Sequence, residues 1–470
     1  MRFLQAGVVA LALFSGIPRD AWSNGRFPAA SYLVVGPGAS SSVLALRTTF
    51  GVLRSADAGR SWRWVCEESV EAVGMFDPSI ALGRDGFTTL ALPSGLAVSE
   101  DGCAWARPAM TPARPVVDVT NDATGDVLIA AVGPSGTRDE LLRSEDGGRS
   151  WRSTATLPGY FIETVEVAPS SPARVYVSAF VPGPEPVLLR SDDGGATVRE
   201  LTRDFTGGQS AWIAGVDPTN PDVLYVRSQR PGGVGTYLLR SMDGGRSFRR
   251  IAETDGAMRG FALSDDGATV WFGSSLSREG LQRSVRGGAF SRTADQPAVQ
   301  CLRYHAGRLY VCADEAADGY ALGCSDDDGD SFAPLLSLRA IETPASCPSG
   351  TPVGDRCAAL WPTQRMILRA IDAGPPPDRP HPSLDVSDVR DARDADDARE
   401  VADVIDARDA AVVEDVAMDA PVEDVRALTP PPVRQPSCGC SARGDRSGRC
   451  WWMLGLLLRR RQRRQPPRPA

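Results

Sequence analysis

The chain has 470 residues, with 51 Lys+Arg against 59 Asp+Glu for a net charge of −8, ten cysteines and only two histidines. This balance excludes general nucleic-acid binding, and two histidines all but exclude His-based catalysis or a His-built metal site. Gly 47 and Pro 37 beside 42% hydrophobic residues predict a turn-rich β protein with a substantial core.

Residues 1–23 read as a secretory signal peptide. Arg2 supplies the positive start, Leu4 to Ile17 the apolar run, and Ala21-Trp22-Ser23 the small residues before a cleavage ahead of Asn24. Export makes disulfides permissible.

Residues 30–338 are organised by an internal repeat, Ser-x-Asp-x-Gly-x-x-aromatic. Its clear copies carry Ser55, Asp57, Gly59 and Trp62; Ser144, Asp146, Gly148 and Trp151; Ser241, Asp243, Gly245 and Phe248; and Ser325, Asp327, Gly329 and Phe332. A shorter copy has Ser99, Asp101 and Trp105, and another has Ser191, Asp193 and Gly195 with Val198 in the aromatic place. The copy at Ser284 has Arg286 where Asp belongs and Phe290 one position early. The seven starts lie 41 to 50 residues apart.

Each repeat also holds four short β-branched runs, as in Thr164–Val167, Arg174–Ser178, Val187–Arg190 and Thr197–Leu201. Four strands per unit and seven units predict an all-β fold, a seven-bladed β-propeller with four-stranded blades. The motif falls between the third and fourth strands. There Ser and Asp oxygens can accept from turn amides, Gly takes a positive φ and the aromatic packs beneath.

The motif resembles the Asp box of the bacterial neuraminidase repeat (BNR) superfamily, which includes sialidases, xyloglucanase-like glycosidases, sortilin-type receptor domains and photosystem assembly factors. The resemblance implies a structural box on the outer rim and leaves function open. A sialidase would need an arginine triad, a tyrosine with a glutamate partner and an acidic proton donor. Arg26-Phe27-Pro28 is a thin echo of that family's first arginine motif, and Tyr304, Tyr310 and Tyr320 lack an evident glutamate partner. A xyloglucanase-like enzyme would need two facing aspartates and typically two tandem propellers. No catalytic residue is assigned, and no cofactor or metal is called for. Asp326 to Asp330 is read as a turn rather than a calcium loop, since position twelve is Ser337.

Cys301 and Cys312 flank a short turn, close enough across a hairpin for a disulfide. Cys347 and Cys357 enclose a Pro/Gly loop that a second bridge could close. Cys66 and Cys103 could link the first two blades, and Cys324 is left over. His305 reads as a solvated turn residue. Residues 339–372 read as a capping or closing segment that helps join the last blade to the first, because the strand near Tyr32 to Val35 has no obvious complement.

Residues 373–436, Pro-bounded and rich in Asp and Ala, have too little apolar surface to offset their ordering entropy and predict an extended linker. In residues 437–470, Ser437-Cys438-Gly439-Cys440 precedes an apolar patch (Trp451 to Leu458) and an arginine cluster. This order resembles the C-terminal sorting tails (MYXO-CTERM type) of myxobacterial surface proteins, which implies processing at Cys438 or Cys440. The eight-residue apolar run falls short of the ~20 that a spanning helix needs, so membrane contact is expected only through this tail.

The net charge divides accordingly. Residues 385–426 hold 15 acids and 5 arginines, whereas residues 427–470 hold 10 arginines and one acid. The expected molecule is an exported propeller at the cell surface or outer envelope, acting as a non-enzymatic recognition module for protein or glycan. Its further partners would be the export machinery and a surface-sorting protease. The alternatives are a secreted sialidase-like glycoside hydrolase and an envelope assembly or scaffold factor.

Overall fold

A computed structural model describes residues 27–373, apart from 73–76, 110, 112, 277 and 345. The expected signal peptide, the linker from residue 374 onward and the tail with Cys438 and Cys440 lie outside the described residues.

The repeats form seven antiparallel sheets. Blade 1 holds β1 (Ala30–Val35), β2 (Leu44–Thr48), β3 (Gly51–Ser55) and β4 (Arg63–Val65); blade 2 holds β5 (Ser79–Leu82), β6 (Thr88–Leu92) and β7 (Gly95–Ser99). Blade 3 comprises β8 (Val116–Asn121), β9 (Leu128–Val132), β10 (Glu140–Ser144) and β11 (Arg152–Thr156). Blade 4 comprises β12 (Phe161–Ala168), β13 (Ser171–Val181), β14 (Glu185–Ser191) and β15 (Arg199–Thr202). In blade 5 come β16 (Trp212–Val216), β17 (Leu224–Gln229), β18 (Thr236–Ser241) and β19 (Arg249–Thr254). Blade 6 has β20 (Met258–Leu263), β21 (Thr269–Ser274), β22 (Leu281–Val285) and β23 (Ser291–Arg292). Blade 7 has β24 (Cys301–His305), β25 (Arg308–Cys312), β26 (Leu322–Ser325) and β27 (Ala333–Leu336). Six sheets are four-stranded; in the second, an isolated bridge between Val98 and Ala106 stands in the fourth strand's place. Its turn is one residue shorter, and Pro108 follows closely.

The first strands β1, β5, β8, β12, β16, β20 and β24 pack one on the next, and β24 packs on β1. The sheets therefore close a ring around a central channel. The strand near Tyr32 finds its complement inside blade 1, pairing with β2 from Ala30 opposite Thr48 to Val35 opposite Leu44.

The core lies between blades. Ile129 and Leu141 of blade 3 pack with Val165, Val175 and Leu189 of blade 4, and Tyr225 and Leu238 of blade 5 with Phe272 of blade 6. Middle strands such as Leu128–Val132 are buried throughout, because both faces of each sheet are covered and no polar alternation survives.

Arginines just ahead of the turn serines stitch neighbouring blades. Arg54 donates to the carbonyls of Glu100 (3.0 Å) and Asp101 (3.3 Å), Arg143 to Gly194 (3.3 Å), Arg190 to Gly244 (3.0 Å) and Arg283 to Asp328 (3.1 Å). Each is a charge-assisted bond to a carbonyl on the next blade's turn.

Two helices interrupt the β pattern, α1 (Glu315–Asp318) inside blade 7 and α2 (Pro352–Arg369) after it. Thr351 caps α2 by accepting from the Gly354 amide at 3.1 Å, and Pro352 starts it. The expected pairing of Cys347 with Cys357 is corrected, as is that of Cys66 with Cys103. Cys357 is bonded to Cys66 and Cys347 to Cys103. Because the segment after Thr351 is helical, Cys357 faces blade 1, while Val353 N donates to the Cys103 carbonyl at 3.4 Å and Trp361 packs on Trp64 with ring centroids 5.5 Å apart. The closing segment thus staples blades 1 and 2 rather than looping on itself. Cys301 and Cys312 are bonded across the β24–β25 hairpin, as their spacing implies. Cys324 is buried in β26.

Three disulfides fit an oxidising, extracellular environment. Among the described residues no helix is long and apolar enough to cross a membrane.

Candidate functional site

The sequence-marked serines and aspartates all lie in turns leaving the third strand of a blade, and they bond to their own turns. The Ser55, Ser144, Ser191, Ser241 and Ser325 hydroxyls each accept from the glycine amide four residues on (Gly59, Gly148, Gly195, Gly245, Gly329) at 2.8 to 2.9 Å, and donate to Asp57, Asp146, Asp193, Asp243 and Asp327. Trp62 and Trp151 close the turn by donating from Nε1 to the glycine carbonyl at 3.1 and 2.9 Å. Phe248 and Phe332 are half-buried against neighbouring apolar residues.

In blade 2, Gly102 N donates to Ser99 and Trp105 to the Gly102 carbonyl, while Asp101 accepts from Cys103 N at 2.7 Å. Partial burial works against ionising Asp57, Asp146 and Asp243, but bonds from the serines four residues on and from turn amides outweigh it. Their carboxyls sit below the usual range, that of Asp243 at about 2. Asp193, held chiefly by Thr197, also sits at about 2. Asp326 accepts from Arg308 of its own blade at 2.8 Å and Asp330 pairs with Arg283 of blade 6 at 3.3 Å, so this acidic run is tied into the blade 6–7 junction. These groups form structural turns.

The channel holds a different set. Tyr32 and Arg47 come from blade 1, Asp118 from blade 3, Glu163 and Glu166 from blade 4, Arg227 from blade 5, Arg259 from blade 6 and Arg303 from blade 7. Groups from blades this far apart in sequence interact because they all face the axis. Tyr32 is 37% exposed, to the channel. It is enclosed by protein, and its hydroxyl is pushed up to about 12 by burial, with Glu166 and Asp118 raising it and Arg303 and Arg47 opposing. The Arg47 guanidinium lies 5.2 Å from the Tyr32 ring centroid.

Burial raises Asp118 to about 6. Its oxygens are fully engaged, accepting from Ser79 Oγ (2.6 Å), Val119 N (2.9 Å) and Val165 N (2.9 Å), which ties blades 2, 3 and 4 together. Burial and then the charge of Asp118 raise Glu166 to about 7, against Thr120 and Arg303. Glu163 is raised to about 7 by burial; its Oε1 accepts from Trp212 Nε1 at 3.1 Å and its Oε2 is buried with no partner among the described residues. Burial lowers Arg227, which donates to the Met258 carbonyl at 2.9 Å, and the Nε atoms of Arg227 and Arg303 find no acceptor among the described residues.

At the end of the channel where the first strands begin, Trp212 is 48% and Phe161 38% exposed. They open β16 and β12 beside Glu163. This mouth offers aromatic faces next to a carboxyl that is half protonated near neutral pH, above a channel lined with guanidinium groups. It can stack a planar or ring-shaped ligand, exchange a proton with it and pair with its anionic groups.

None of these channel residues was marked by the sequence reading. Tyr304 instead stacks on Trp271 (5.1 Å between centroids), Tyr310 and Tyr320 are buried in blade 7, and Arg26 lies outside the described residues. His305 ends β24 half-buried rather than solvated, and burial lowers its pKa. A usable signal was present. Val-Asp118-Val, Val-Glu166-Val and Leu-Arg303-Tyr each place a charge inside the first strand of a blade, where a fully packed sheet would take an apolar residue.

No family model matches the chain, and no curated protein does. Solved structures match in fold. An ancestral GH74 enzyme aligns with a TM-score of 0.50 and 15% identity over 66% of this chain and 46% of its own, so this chain spans less than half that enzyme's length. The GH74 xyloglucanase from Xanthomonas campestris gives 0.31 at 18% identity over 69% and 65%. YCF48 from Cyanidioschyzon merolae gives 0.43 at 14% over 60% and 92%. The chain is a seven-bladed β-propeller with structural neighbours among the GH74 and YCF48 propellers.

Proposed function

We propose that this protein is an exported, surface-tethered recognition module that holds a glycan or protein segment at the channel mouth without turning it over. The observation that carries the reading is the pairing of Trp212 and Phe161, large aromatic groups left exposed, with the partly unsatisfied carboxyl of Glu163. Exposed aromatic faces beside polar groups suit sugar rings and aromatic or proline side chains. The turn motif supports placing the chain with the BNR (Asp-box) propellers, and the Cys438/Cys440 tail supports sorting to the surface. A glycan and protein array probed with full-length protein tests the reading; retention that Trp212→Ala abolishes supports it, and retention unaffected by that change counts against it.

A second reading, glycoside hydrolysis of the sialidase type, is favoured by one observation. Arg47, Arg227 and Arg303 share the channel with Tyr32, Glu166 and Asp118. Against it, both oxygens of Asp118 are committed to holding blades together, which leaves the acid poorly placed to protonate a leaving group. Chromogenic sialosides and other glycosides distinguish the two readings, since turnover supports the enzyme.

A further inference from the structure

Five blades carry an arginine just ahead of the turn serine, and at one of them, blade 5, it makes no stitch. By the spacing that holds for Arg190 and Arg283, Arg240 of blade 5 should donate to the Gly287 carbonyl of blade 6. Its side chain makes no hydrogen bond among the described residues, its Nε is buried without an acceptor, and its guanidinium lies 5.6 Å from the Tyr225 ring centroid. The cause is the altered turn. Arg286 replaces the aspartate at φ 51°, Ser284 Oγ donates to the Gly288 carbonyl at 2.6 Å instead of accepting a turn amide, and β23 has only two residues.

The gap left between blades 5 and 6 is a cavity of about 570 Å³. Arg240, Arg249, Arg250 and Arg286 line it, over an apolar floor that includes Phe272 and Phe290. Glu253 offsets one of these charges by pairing with Arg250 at 3.2 Å. Asp266 is held in its charged form partly by Arg286, so Arg240 and Arg249 are the lining guanidinium groups without an acid partner among the described residues, beside the half-buried Phe290 ring.

We propose that this pocket, separate from the channel mouth, is a binding site for a phosphate or sulfate monoester. The oxyanion would take the guanidinium donors that elsewhere bind a neighbouring turn, and the organic part would lie on Phe290, which itself packs on the buried Phe272. A neutral ligand would leave the converging charges unanswered, and a bare anion would leave the aromatic floor uncovered.

The test is calorimetric titration of the full-length protein with phenyl phosphate, phenyl sulfate and inorganic phosphate at low salt. Saturable binding is expected, with the phenyl esters at least tenfold tighter than inorganic phosphate. Arg240→Gln and Arg286→Gln should each weaken it at least tenfold, while Arg60→Gln on the blade 1 turn leaves it unchanged. Should Arg240→Gln disturb folding, Arg249→Gln with Arg286→Gln reads the same site from exposed positions. Binding that survives loss of Arg249 and Arg286, equal affinity for ester and bare phosphate, or no saturable binding at all would overturn the proposal.

Discussion

Cys357, in α2, is bonded to Cys66, just past β4, across 291 residues of chain. With the Cys103–Cys347 bond across 244 residues, this anchors the segment after blade 7 to blades 1 and 2. The β24–β1 junction is closed by packing between blades that, among the described residues, are each built from consecutive strands, and the staple adds a covalent crossing of that junction.

Loss of the staple should therefore loosen ring closure. Paired Cys66→Ser and Cys357→Ser substitutions are expected to cost about 2–5 kcal/mol, chiefly by freeing the unfolded chain. Thermal unfolding of the double variant against wild type measures it, and hydrogen exchange should rise first in β1 and β24.

The turn serines should differ in weight. Ser144→Ala strands the buried Gly148 amide and removes a donor from Asp146, at a cost of about 1–3 kcal/mol. Ser284→Ala removes one donated bond, to the Gly288 carbonyl, and should cost less. Chemical denaturation of the two variants side by side checks the order.

These turns also explain what the sequence makes legible. A motif such as Ser144 to Trp151 satisfies its own hydrogen bonds locally, so its spacing declares the blade count and the strand order. The Cys301–Cys312 bridge is local too. By contrast Cys347 and Cys357 have partners more than 240 residues away, and the helicity of α2 that turns Cys357 toward blade 1 is masked by Pro352, Gly354 and Pro362. The channel site is least legible, because Tyr32, Asp118, Glu166 and Arg303 meet only once the ring closes. A charge flanked by valines was its trace.

Stability should vary with pH in two opposite ways. Glu163 and Glu166 have folded values of about 7, above the unfolded value of about 4.3. The folded state then binds more protons than the unfolded one between these limits, so this contribution is complete below about pH 4.3 and is lost as pH rises through 7. Asp243, depressed to about 2, acts in reverse; its contribution is present above about pH 3.9 and is lost as pH falls through 2. Melting temperatures across pH 2–8 should rise to a maximum between pH 4 and 5 and then fall. Glu163→Gln with Glu166→Gln should reduce the upper limb only, leaving the part that Asp118, raised to about 6, contributes.

At the mouth, Trp212→Ala should weaken ligand retention about tenfold or more, roughly 1.4 kcal/mol. The melting temperature should fall only modestly, because the ring is 48% exposed although Glu163 loses its Nε1 donor. A matched change at Trp151, buried beneath its turn, should do the opposite.

The most direct test incubates full-length protein with an immobilised glycan and peptide library, reading bound protein and released sugar from the same spots. Retention on a defined ligand class, loss of that retention in Trp212→Ala, and no released sugar are the expected results. Released sugar that disappears in Glu166→Gln would contradict them and establish a hydrolase.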